Sequence, residues 1–175
     1  RADTLAALEV VGERFSRSNL DAATLVVSEN VPATERVVHV EVPRGLQRGF
    51  GGSTTQLEGL TGLTLMAGGR SSVLAGREWV TDTATELFGT DLPVPVETRW
   101  SRRATSFFQG NRYLIGGLVR HVLTTTEAER VLDLYAGTGL FSVGCAAMGR
   151  RVLAVEGDPS AVADLQENAR VWDQL

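Results

Sequence analysis

Val131-Leu-Asp-Leu-Tyr-Ala-Gly-Thr-Gly139, continued by Leu140-Phe-Ser142 and answered by Arg151-Val-Leu-Ala-Val155-Glu156-Gly157-Asp158, decides the reading of this chain. The apolar run Val131, Leu132, Leu134 predicts a short buried strand that breaks into Gly137-Thr-Gly139, and residues 141–148 then read as a helix. A second apolar run, 151–155, ends in the acid Glu156. The spacing predicts a β-α-β unit with a glycine turn closing its first strand and a carboxylate closing its second. Such a unit suits a nucleoside: glycines let the backbone approach closely, and a carboxylate accepts from ribose hydroxyls.

Two ligands compete for this unit. A nicotinamide or flavin dinucleotide seats its pyrophosphate on the helix N-terminus, through a Gly-x-Gly-x-x-Gly fingerprint. Here Ser142 stands at the third glycine position, and the acid Asp133 lies inside the first strand. A carboxylate repels a pyrophosphate but attracts an ammonium group. S-adenosylmethionine has no phosphate and carries an ammonium on its methionine end. A bare glycine turn would need no ligand at all; an acid on each side of it points to this one.

Working outward, 175 residues of which 43% are hydrophobic suit one ordinary domain or two small ones. No apolar run reaches membrane-spanning length, and no signal peptide opens the sequence. The single cysteine, Cys145, excludes an internal disulfide and a multi-cysteine metal site, and no metal centre is expected. A reducing, cytoplasmic setting is the natural expectation. The net charge is −4 and all 17 basic residues are arginines, so bulk charge does not favour a polyanionic partner. With arginine at position 1, the sequence is expected to be a piece of a longer chain.

Upstream, residues 4–17 place Leu5, Leu8, Val11 and Phe15 at helical spacing. Residues 23–28 and 36–42 are β-rich; in the second, Val38, Val40 and Val42 share a face, which leaves His39 on the other as a solvated residue. Residues 43–55, rich in glycine, read as a surface loop. Further strands are expected at 60–66, 72–74 and 77–83. The expectation is a small antiparallel sheet with a helix. Asp91-Leu-Pro-Val-Pro-Val96 is a stiff connector, because a residue before proline is pushed out of helical geometry. The boundary falls there: a strand-rich α+β domain over 1–95, then the opening part of a Rossmann-like α/β domain over 96–175.

Past the connector, Arg99-Trp-Ser-Arg-Arg103 is the one dense basic cluster. Arg99, Trp100, Arg102 and Arg103 read in two ways. They form an RNA-binding surface, with an indole stacking on a base and guanidinium groups meeting phosphates, or a solvated arm whose tryptophan packs on the core.

Phe107-Phe-Gln109-x-Asn111 follows, then an apolar helix through Leu114, Leu118 and Val122, then the glycine-turn unit. In combination these elements resemble the RNA (uracil-5)-methyltransferases of tRNA and ribosomal RNA, over about residues 106–169. The resemblance implies that Gln109, Tyr135 and Glu156 contact S-adenosylmethionine, that Gly137 and Gly139 form the turn beneath it, and that Asp133 sits near its methionine end. The implied reaction is methyl transfer to C5 of uracil in tRNA or rRNA. Ala136, where relatives often carry cysteine, and Gly110, where they carry valine or proline, depart from the pattern.

The resemblance also places a nucleophilic cysteine and a base beyond Leu175, so no catalytic residue is assigned and the chain by itself is expected to be inactive. Cys145, among Val143, Ala146 and Ala147, reads instead as a buried apolar thiol. Two parallel strands with an open apolar edge make self-association expected as well. The alternatives are a non-catalytic RNA-binding module and a dinucleotide-dependent oxidoreductase.

Overall fold

The computed structural model describes residues 2–16, 24–42, 59–173 and 175. The chain forms two compact units, Arg1–Val80 and Thr81–Leu175. Asp91–Val96, expected as the connector, lies within the second, where Leu92 and Val94 are buried.

The first unit carries helix α1 (Ala2–Ser16) and strands β1 (Thr24–Glu29), β2 (Arg36–Val42), β3 (Gly62–Ala67) and β4 (Arg70–Gly76), in sheet order β1-β2-β3-β4. Register brings Val27, Val38 and Leu63 into one row and Leu25, Val40 and Leu65 into the next. With Val42 they form one side of a core that Leu8 and Val11 of α1 close from above. Leu5, expected on the same helical face, is exposed. The Phe15 side chain and the glycine-rich stretch 43–55 lie outside the described residues.

Two expectations about this unit are corrected. The sheet is mixed, because β2 and β3 run parallel. Residues 43–61 give a connection long enough to return the chain to the same end of the sheet, as a parallel pair requires. His39 is also buried, 4% exposed. β2 is an interior strand with both faces covered over its first five residues, so alternation along it does not separate core from solvent. His39 Nδ1 bonds Thr64 Oγ1 at 2.8 Å, opposite it in register. Burial lowers its pKa, opposed by the charge of Glu41.

The second unit holds the end of β5 (Trp79–Thr83), α2 (Ala84–Phe88), β6 (Arg99–Arg103), α3 (Ile115–Thr125), β7 (Arg130–Leu134), α4 (Leu140–Ala147), β8 (Arg151–Val155) and α5 (Pro159–Ala169). β5 pairs with β6, and β7 with β8 in parallel. Local chemistry sets the helix ends. Thr83 and Glu86 form a capping box on α2. Asp158 caps α5 by accepting from Ala161 N, with Pro159 in its first turn. The core runs through Val119 and Leu123 of α3, Val143 and Cys145 of α4, and Trp100, whose ring meets Phe88 edge-on at 5.9 Å. The parallel β7–β8 pair with α4 between its strands is a Rossmann-like α/β arrangement.

Candidate nucleoside site at the glycine turn

The site is built where β7 and β8 end side by side, with Asp133 opposite Ala154 and Leu134 opposite Val155. The ladder closes with Ala136 N donating to Val155 O at 3.0 Å. The chain then reverses through backbone that disfavours side chains: φ is 59° at Tyr135, 58° at Gly137 and 88° at Gly139. At Gly139 a Cβ would also press on the tip of the Leu165 side chain, with Cδ1 2.5 Å away. Tyr135 holds the left-handed region with a full side chain that is 90% exposed. Strain of this kind in a non-glycine residue concentrates at functional sites.

Glu156 leaves the end of β8 and turns back over this reversal. Its Oε2 accepts from Gly137 N at 2.7 Å, and its Oε1 accepts from Gly157 N at 2.7 Å and Asp158 N at 2.8 Å. The three amides, that of Asp158 foremost, hold the carboxyl below its ordinary pKa. The acid is therefore a fixed anion facing solvent, with lone-pair capacity left on Oε2.

Below the turn, Ser142 Oγ donates to Asp133 Oδ2. Ser142 is fully buried in the first turn of α4. The residue that breaks the dinucleotide fingerprint thus orients the strand acid. Gln109 lies on an irregular stretch, residues 107–111. That stretch approaches the turn: the Phe107 carbonyl would be 3.9 Å from a Cβ on Gly137. Asp133, Tyr135, Gly137, Gly139 and Glu156 thus lie at the adjoining ends of β7 and β8, and Gln109 follows Phe107 by two positions.

The basic cluster is corrected. On β6, Trp100 is wholly buried, and its Nε1 donates to Gly139 O at 3.3 Å. Arg102 is buried against Asp82 at 2.5 Å. Arg103 pairs with Asp164. Of the four residues, Arg99 alone is exposed. Trp100 and Arg102 face inward because β6 alternates exposed and buried positions, and buried charge must find a partner. They are no stacking surface for a base.

Sequence reasoning missed the residues that meet them. Asp164, 4% exposed, accepts from Arg103 N and from Ser106 Oγ. Asn168 Oδ1 accepts from Ser101 N, while its Nδ2 donates to Ser101 O and Thr138 O. A signal was present: Ala161, Asp164, Leu165 and Asn168 are the buried residues of α5, at positions i, i+3, i+4 and i+7 of one helical face. Two polar residues on a buried face must have partners.

Cys145 is buried, and burial raises its thiol pKa. It is a packed apolar residue. Among the described residues no cluster of metal-ligating side chains occurs, and no helix is long and apolar enough to cross a membrane.

The model of the TRM5/TYW2 methyltransferase domain matches residues 112–173. The chain is 38% identical over 66 residues to the tRNA (uracil(54)-C(5))-methyltransferase of Pyrococcus horikoshii, covering 38% of this chain and 16% of that protein. It is 36% identical over 96 residues to the 23S rRNA (uracil(1939)-C(5))-methyltransferase RlmD of Stenotrophomonas maltophilia, covering 50% of this chain and 22% of that one. Among solved structures, the Pyrococcus abyssi tRNA (uracil-54, C5)-methyltransferase in complex with S-adenosyl-L-homocysteine superposes with a TM-score of 0.64 at 22% identity, over 84% of this chain and 36% of that one. That likeness establishes the fold. The chain spans at most 22% of the length of the two curated relatives.

Proposed function

The second half of the chain is related to the S-adenosylmethionine-dependent RNA methyltransferases, and from that premise we propose that the protein binds S-adenosylmethionine at the glycine turn and transfers its methyl group to C5 of a uracil in tRNA or rRNA. The observation that carries this reading is the bond from Gly137 N to Glu156. It fixes an anion at the end of one parallel strand against the glycine turn at the end of its neighbour. The donor set fits the cofactor: residues 133–139 contain no basic side chain for a pyrophosphate, while Asp133 suits an ammonium group. When bound, the cofactor supplies an electrophilic methyl group on sulfur. Glu156 accepts from the ribose hydroxyls, Ser142 holds Asp133 toward the methionine end, and Gln109 and Tyr135 border the ligand.

The uracil-5 specificity rests on two supports. The family model begins at residue 112, after Phe107-Phe-Gln-x-Asn111, so the segment it matches leaves out the element that points to uracil. The curated relatives that extend the comparison are uracil-5 enzymes by name.

The test uses RNA transcripts carrying tritium at uracil C5. Methylation at C5 releases that tritium, so release dependent on S-adenosylmethionine is the expected result. Methyl incorporation without release places the reaction at another atom. In calorimetry, Glu156→Ala is expected to weaken S-adenosylhomocysteine binding about tenfold, the loss of a charged hydrogen bond. Unchanged affinity, or binding of NADH in its place, overturns the site.

A further inference from the structure

Arg102 has no role in the site described above, yet its charged side chain is buried and engaged on two sides. Its guanidinium bonds Asp82 Oδ2 at 2.5 Å, with the two side chains 4% and 0% exposed. Its Cζ also lies 3.7 Å from the centroid of the Phe108 ring, a cation stacked on an aromatic face. Such contacts strengthen when desolvated. A buried ion pair adds little net stability over an apolar replacement, but it fixes orientation. Asp82, at the end of β5, aims the guanidinium, and the planar guanidinium fixes the ring.

Phe108 stands between Phe107, whose carbonyl approaches Gly137, and Gln109. Residues 107–111 belong to no helix or strand, so no backbone ladder sets their height over the glycine turn. Side-chain anchorage has to do so. We propose that Arg102, held by Asp82, is a positioning residue that seats residues 107–110 over the glycine turn by stacking on Phe108, and so governs cofactor affinity from a strand outside the pocket.

The proposal rests on the reading of the turn as the S-adenosylmethionine site, and the experiment separates the two. S-adenosylhomocysteine affinity is measured by calorimetry for the wild type, Phe108→Leu, the pair Asp82→Asn with Arg102→Met, and all three changes together. The paired change removes both charges and so leaves neither member of the pair as a lone buried charge. Wild-type binding is expected. Phe108→Leu and the charge-free pair are each expected to weaken it about tenfold at little change in thermal midpoint, and the triple variant no further. Phe108→Trp, which keeps an aromatic face, restores affinity. Hydrogen exchange at residues 107–110 quickens in Phe108→Leu and in the charge-free pair. Failure of the wild type to bind overturns the cofactor reading and the proposal with it. Wild-type binding with unaltered affinity in Phe108→Leu, or losses that add in full in the triple variant, overturns the positioning role alone.

Discussion

The side-chain amide of Asn168 donates to the carbonyl of Thr138 at 2.9 Å, so the middle of the glycine turn hangs from a helix that begins after Glu156. The same amide closes two bonds with the backbone of Ser101. One residue thereby joins α5, β6 and the turn. Asn168→Ala leaves buried backbone groups unpaired and is expected to cost about 2–3 kcal/mol in chemical denaturation. Asn168→Asp keeps the acceptor for Ser101 N but sets a carboxylate against two carbonyls. It is expected to be no milder, and a wild-type midpoint for either variant would refute the link.

Arg102 gives a prediction about stability. Truncation to alanine removes the guanidinium paired with the carboxylate of Asp82, which is wholly buried. Breaking a buried pair this way is expected to cost about 3–5 kcal/mol, whereas removing both charges with Asp82→Asn and Arg102→Met should stay within about 2 kcal/mol of wild type. Urea titrations of the two variants decide it.

The β7–β8 pair predicts association. Leu132 lies opposite Leu153 and Leu134 opposite Val155, all on one face. They are 58%, 65%, 56% and 48% exposed in that order, an apolar surface larger than scattered exposed residues make. Sedimentation velocity is expected to show concentration-dependent association. The change Leu132→Glu with Leu153→Glu should abolish it without altering the helical circular dichroism signal.

Most of this was legible in the sequence, and the exceptions have physical causes. The glycine turn, its two acids and the strands of the first unit follow from local chemistry: periodicity and turn residues. His39 was misread because alternation marks a face only when one side of a strand meets water, and β2 is covered on both. The parallel pairing of β2 with β3 depends on where a long connection delivers the chain, which no local pattern encodes. The arginines of β6 look like a basic patch until Asp82 and Asp164 are brought to them across 20 and 61 positions of sequence. Charge in a sequence is visible; its neutralisation is a property of the fold.

Acid sensitivity should arrive in two stages. Burial lowers the folded-state pKa of His39 below its ordinary 6.5, so the unfolded chain takes up that proton first, and stability falls as pH drops below 6.5. Backbone amides lower the pKa of Glu156 below its ordinary 4.5, so its contribution is complete above 4.5 and is lost as pH falls through the lower folded-state value. Thermal midpoints against pH should show the first stage removed by His39→Gln and the second by Glu156→Gln.

The indole of Trp100 donates to Gly139 O at 3.3 Å from a position with no solvent exposure. The chain therefore carries a native optical gauge wired to its glycine turn. Any displacement of that carbonyl changes the electric field along the indole N–H, and with it the colour of the emitted light. Trp79 is 40% exposed and Trp172 is half-buried, so the blue edge of the emission is expected from the Trp100 ring, which is wholly buried. Occupation of the turn is then readable in unlabelled protein, from a shift at that edge.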